Sequence, residues 1–152
     1  MEDVEGRIAA ATRDIKAQLV TDPRAELLMT IPAIAHLTAY LLLAEIGEIS
    51  RFLSPKKLCA YGGIVPATRQ SAEHRWQGRI THEGSRYIRW AMVEAACKAP
   101  SHDHYLGQFY RSVAHRRGPL KARVAVARKL LAAVWYVLTY NEPYKPRYET
   151  TV

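Results

Sequence analysis

Cysteine is scarce: Cys59 and Cys97 are the only two in 152 residues, and neither belongs to a CxxC or Cys/His spacing. A disulfide framework is therefore not required, and both thiols, set among apolar residues, are expected to be reduced and in the core, as in a cytoplasmic protein. Long apolar runs are missing too. The longest, Leu37 to Ile46, contains Thr38 and Glu45 and is far too short to cross a bilayer, so no membrane partner is expected. The acidic start MEDVEGRIAA has no apolar core and cleavage site of a signal peptide. There is no phosphate loop, because Gly62-Gly63 lacks the Lys-Ser/Thr pair that would follow it. Carboxylates are thin in the second part, where Glu73, Glu83, Glu94 and Asp103 stand apart, so no two-metal site is suggested. His102 and His104 flank Asp103, but residues two apart on a helix do not share a face, and no metal is assigned to this chain.

What is present is positive charge, unevenly placed. Residues 1–50 carry 4 Lys/Arg against 8 Asp/Glu, whereas residues 51–152 carry 18 against 6. An excess of that size concentrates polyanions near the chain. Membrane-surface helices set their cations opposite a wide apolar face. Here much of the excess is arginine in and around a glycine-punctuated stretch, where planar guanidinium forks grip phosphates bidentately, so nucleic acid is the favoured partner.

Hydrophobic spacing predicts a mainly α-helical single domain, and a chain of this length can bury about 70% of its unfolded surface. Val4, Ile8, Ala11, Ile15 and Leu19 form a seam on a first helix. Two and a half heptads leave it open whether that seam docks on its own domain or pairs with a second copy through residues 4–19. Asp22-Pro23 and Ser54-Pro55 read as N-cap and N1 pairs. Between them, IPAIA joins two apolar runs and Gly47 stops the second, a helical hairpin resembling the helix-hairpin-helix motif. Ala33 and Ala35 replace that motif's two glycines, and their Cβ atoms hinder positive φ and close approach of a phosphate. The hairpin is thus either scaffold or a remaining backbone contact. A helix from Ser85 carries Ile88, Met92, Ala95 and Ala96 on one face and ends at Pro100. Another spans His102 to His115, and a last one from Pro119 is almost wholly apolar from Leu130 to Leu138, which suits central core.

Leu58 to Trp90 breaks the helical pattern. Gly62, Gly63 and Pro66 punctuate its start and Gly78 and Gly84 its end, so its middle is expected to be a small hairpin or irregular loop, with Ala67 to Gln70 pairing with Gly78 to Thr81. Ser71 lies there among Arg69, Arg75, Arg79, Arg86 and Arg89, a combination suited to a phosphate. On composition alone, a serine in a polar loop is usually just a turn residue or cap.

Four separated pieces appear in order: the IPAIAHLTA turn, SPKKLCAYGGIVP, the QS pair at Gln70-Ser71, and the late helix with ARK at Ala127 to Lys129. Over residues 24–145 the chain resembles the C-terminal domain of the bridge-RNA-guided insertion-sequence transposases, a family that also includes the pilin-gene DNA invertases. The resemblance implies that Ser71 is a nucleophile forming a phosphoserine link to DNA, with a guide RNA as further partner. It also implies that Mg²⁺ is held by an acidic ribonuclease-H-like domain upstream, not by this chain. Residues 1–22 would be the tail of a connecting helix and residues 23–152 the serine-bearing domain, making the chain a fragment or a shortened reading frame. Ala72 departs from the glycine usual after the serine and would stiffen the loop.

Overall fold

The computed structural model describes residues 2–19, 22–71, 74–80 and 83–146, with the side chains of residues 66–80 and several in the first helix left out of that description. Its order is α1 (Glu2–Leu19), α2 (Pro23–Met29), α3 (His36–Ile46), a 3₁₀ turn (Ile49–Arg51), α4 (Pro55–Tyr61), β1 (Pro66–Ser71), β2 (His74–Ile80), α5 (Arg86–His102), α6 (His104–Arg117) and α7 (Pro119–Tyr140). The protein is mainly α-helical, as its spacing predicts.

Helix starts are written locally. Asp22 accepts a hydrogen bond from the Arg24 N–H at 2.9 Å and Pro23 follows at N1. The Arg24 side chain also donates to Asp22 and holds its carboxyl below the usual carboxylate range. Ser54 and Pro55 repeat the arrangement at α4, with Lys57 N donating to Ser54 Oγ. Gly47 closes α3 at φ 61°. Between α2 and α3, Ala33 adopts φ 63° despite its Cβ. The expected hairpin turn therefore forms without a glycine, although a Cβ hinders positive φ and adds a local cost.

The core gathers around α7, which packs on α4, α5 and α6. Val126, Leu130, Leu131 and Val134 of α7 are fully or almost fully buried, together with Ile88 and Met92 of α5, Leu58 of α4 and Leu42 of α3. Deep burial of this kind is worth about 1.5–3 kcal/mol per large aliphatic side chain. The Trp135 indole N–H donates to the Phe52 carbonyl at 2.8 Å and fastens α7 to the segment after the 3₁₀ turn.

Two expectations are corrected. Pro100 does not end α5 but sits inside it, because the helix continues until Asp103, whose N–H still donates to the Ala99 carbonyl at 3.0 Å. A proline near a helix end removes only one hydrogen bond that few later residues depend on. Asp103, buried, then caps α6 by accepting from Leu106 N at 2.8 Å. Cys59 is buried as expected but Cys97 is exposed, on the outer side of α5. Of the seam on α1, Val4 and Ile8 are 58% and 60% exposed, while the helix packs against α3. The side chains of Ile15 and Leu19 lie outside the described residues. No described helix is long and apolar enough to cross a membrane.

Candidate nucleic-acid interface

The stretch around Ser71 is a two-stranded antiparallel hairpin, but its register differs from the expected one. Thr68, Arg69, Gln70 and Ser71 pair with Gln77, Trp76, Arg75 and His74. Gly78 to Thr81 was expected to fill that role. The pairing instead runs to Ser71 itself, leaving only residues 72–73 between the strands. A register irregularity between Pro66 and Thr68 sets two β1 steps against three on β2, where Gly78 lies. An extra residue at a glycine accommodates such a bulge at little steric cost.

This geometry divides the five arginines. Arg69 and Arg75 are within two and one strand positions of the Ser71–His74 pair, and Arg79 lies at the bulge. Arg86 and Arg89 begin α5, at the other end of the hairpin. A strand advances about 3.4 Å per residue, so about 17 Å of β1 separates Ser71 from Pro66 and the hairpin's base. By backbone position the five arginines are therefore spread along the hairpin and its base.

The base of the hairpin is tightly closed. The Ser85 N–H donates to the Tyr61 carbonyl at 2.7 Å, joining the outgoing and returning chains. Gly84, at φ 105°, leaves no room for a Cβ against that same carbonyl. At Gly63, φ 65°, an added Cβ would strike Arg89 Nη1 and the Glu83 carbonyl alike. Ser85 Oγ accepts from Ile88 N at 3.2 Å as the cap of α5 and donates to Glu45 Oε2 at 2.6 Å, tying the hairpin's base to α3. Sequence reasoning identifies the cap but misses Glu45, forty positions away, because nothing local connects them.

Arg89 is half-buried, and its Nη1 is a buried donor with no hydrogen-bond partner. Arg86 is exposed and lies over the Tyr87 ring, 5.0 Å from its centroid, donating to the Tyr87 hydroxyl at 3.1 Å. Tyr87 and Trp90 are 49% and 57% exposed. The sequence RYIRW carries this pairing of cations with exposed aromatics at helical spacing, a signal that a search for charge alone passes over.

Among the described residues, no three His, Cys, Asp or Glu side chains converge on one point. Glu45 is engaged by Ser85, Asp103 caps α6, and Glu83 and Glu94 are exposed and apart in the chain.

Comparison with known proteins supports the family resemblance. A family profile described as "Transposase IS116/IS110/IS902 family" matches residues 25–111, more than half of the chain. A probable family 20 transposase of Pseudomonas aeruginosa is 25% identical over 96% of this chain and 44% of its own length. The transposase for insertion sequence element IS1111A of Coxiella burnetii is 26% identical over 87% of this chain and 37% of its own. The pilin gene-inverting protein of Moraxella bovis is 33% identical over 82% of this chain and 39% of its own. The chain therefore spans well under half the length of these relatives. With the matched segment running from α2 through the serine hairpin into α6, the chain belongs to the IS116/IS110/IS902 transposase family.

Proposed function

We propose that this chain is the DNA-engaging, serine-bearing part of a transposase that cleaves and rejoins DNA through a phosphoserine link at Ser71. The observation that carries the reading is the hairpin: the QS pair ends β1, flanked by arginine, on an excursion whose base is fastened to the helical body. In the proposed step Ser71 Oγ forms a bond to phosphorus while the bond to one DNA oxygen breaks. The serine proton passes to solvent or a base, and the departing oxygen takes up a proton. Because the phosphate ester is retained, a second DNA hydroxyl can displace the serine and restore the strand. Arg69 and Arg75, nearest along the chain, would stabilise charge on the phosphoryl oxygens. Arg79, Arg86 and Arg89 would hold flanking phosphates. About 17 Å of hairpin matches about five base steps of duplex, which suits one track of phosphates better than a single one.

Residues 1–22 are read as a connecting segment and residues 23–152 as the serine-bearing domain. Mg²⁺ would belong to an acidic domain outside this chain, and no step above runs through it. Guide RNA, cytoplasmic location and pairing of two copies through residues 4–19 belong to the same proposal. Val4 and Ile8, each more than half exposed, support the last of these.

A protein carrying this chain together with the acidic domain, Mg²⁺, guide and target should yield a covalent protein–DNA adduct mapping to Ser71. Ser71→Ala should abolish it and strand transfer while leaving folding unchanged. An adduct at Tyr61 or Ser85, or full strand transfer by Ser71→Ala, would refute the assignment. A non-catalytic helix-hairpin-helix module is the second reading, and the positive φ of Ala33 favours it because the turn retains the geometry that such modules use. DNA binding without any adduct in the complete protein would select it.

A further inference from the structure

A second site lies away from the serine hairpin. Helices α6 and α7 and the segment 141–146 enclose a cavity of about 290 Å³, near the lower end of the range for small-molecule sites. Tyr105, Lys129, Tyr136, Tyr140 and Tyr144 are among its lining residues, with Glu142 and Lys145, which pair with each other at 2.7 Å. The segment is held there by Tyr144, whose N–H donates to Thr30 Oγ1 at 2.8 Å and whose hydroxyl approaches Asp103 Oδ2 at 3.4 Å.

Two features of this cavity point to a ligand. Lys129 is half-buried, and its ammonium donates to the Tyr105 hydroxyl at 2.7 Å, 4.9 Å from the Tyr105 ring centroid and 4.4 Å from that of Phe109. Among the described residues no carboxylate comes within ion-pair distance of it. A half-buried cation with two of its three donors left over is a place for an anion. About two and three turns further along the same helix, Tyr136 and Tyr140 are 50% and 62% exposed, with rings only 11° from parallel and centroids 6.2 Å apart. Trp135 braces both edge-on, at 5.2 and 6.3 Å. Flat parallel rings suit a planar heteroaromatic group, and the ammonium about 10–16 Å along the helix, held by aromatic rings and a hydroxyl without a carboxylate, suits a phosphate.

We infer that this cavity takes an unpaired nucleotide of a single-stranded nucleic acid, its base on the ring faces of Tyr136 and Tyr140 and a neighbouring phosphate of the same strand on Lys129. An apolar peptide would leave the Lys129 charge uncompensated, and an acidic peptide would make no use of the parallel rings. Duplex is a poor occupant because its bases are already stacked. The site is independent of the proposed role of Ser71.

The test is binding of labelled ten-nucleotide oligo-dT and oligo-U to the whole chain by fluorescence anisotropy, with a duplex of the same length and an oligo-glutamate peptide as comparisons. The Tyr136→Leu/Tyr140→Leu pair should weaken single-strand binding about ten- to hundredfold, and the Tyr136→Phe/Tyr140→Phe pair should bind within about twofold of the parent. Lys129→Met should reduce the steepness of log K against log salt by about 0.7, the share of one single-strand phosphate. In a Trp76→Phe/Trp90→Phe background, the strand should quench Trp135. Tyr140→Leu alone, at the more exposed ring, decides the matter if the double variant is unfolded. The stronger of oligo-dT and oligo-U identifies DNA or RNA as the source. Unchanged single-strand binding in the leucine variants, equal loss in the phenylalanine pair, or equally tight duplex or peptide binding sensitive to the same residues would overturn the inference. Arg69→Gln/Arg75→Gln should weaken duplex binding and leave the Trp135 response in place, so failure at the serine hairpin is read separately.

Discussion

Ala33 occupies a backbone conformation that alanine normally avoids, and its replacement by glycine measures what the helical hairpin tolerates to form its turn. At φ 63° an L-residue carries about 1–2 kcal/mol of strain, which Ala33→Gly removes. Two terms oppose the gain. Glycine frees the unfolded chain by about 0.4–1 kcal/mol, and loss of a half-buried methyl packed on the core costs about 0.4 kcal/mol. The net expectation is a small stabilisation of about 0.4 kcal/mol. The reference is Ala44→Gly, the same chemical change at an exposed position inside α3, which should cost about 1 kcal/mol. The two variants should therefore differ by about 1.5 kcal/mol in urea unfolding with unchanged m, or by about 3–6 °C in midpoint for a chain of this size. Equal destabilisation by both would refute the strain argument and mean that Ala33 relaxes to an ordinary conformation in solution.

At the hairpin base, Gly84→Ala sets a Cβ against the Tyr61 carbonyl at φ 105° and should destabilise by more than about 2 kcal/mol; a change under about 0.5 kcal/mol would show that the two crossing chains are not held there. Burial pushes the Cys59 thiol from 9.0 up to about 11, so the folded state holds its proton more tightly than the unfolded one. The linked stability is complete below pH 9.0 and lost as pH rises towards about 11, amounting to about 3 kcal/mol that a Cys59→Ala variant should not lose over that window. Maleimide at pH 7 should label exposed Cys97 at once and Cys59 only after unfolding. If about five phosphates are neutralised by the hairpin track, log K against log salt on duplex DNA should have a slope of about −4 to −5, and a flat response would exclude nucleic acid as its partner.

Features fixed within four residues were readable in the chain. Asp22-Pro23, Ser54-Pro55 and Ser85 cap their helices as expected because a cap needs only its own side chain and the next three N–H groups. The apolar second half of α7 was readable as core for a similar reason, since one helix's periodicity reports its own burial. Properties that depend on partners were not. The strand register slipped because a run as short as PATRQS carries too little alternation to select one pairing over the next. Cys97 lies among apolar residues in sequence yet on the outer side of α5, since neighbours one apart on a helix point in different directions. Lys129 and the tyrosines of the second cavity were separately visible, but only folding of α6 against α7 and the return of the 141–146 segment bring them to one space.

The placement of Ser71 then follows from where the hairpin is held. Its strands pack chiefly on one another, so the helical body governs them through the base, where Tyr61, Glu45 and Ser85 are linked and Gly63 and Gly84 fill the remaining space. A rotation of about 5° at that base would swing a point about 17 Å along the strands by about 1.5 Å. A displacement of about 1 Å can cost about a hundredfold in rate when a nucleophile must meet phosphorus in line. The glycines and Ser85 therefore bear on the proposed chemistry as positioning residues, although none of them would touch DNA. The buried, unpartnered Nη1 of Arg89 lies at the same base. A Cβ on Gly63 would strike it, so that glycine is what lets α5 close against the hairpin's base and fix the direction in which the strands leave the helical body.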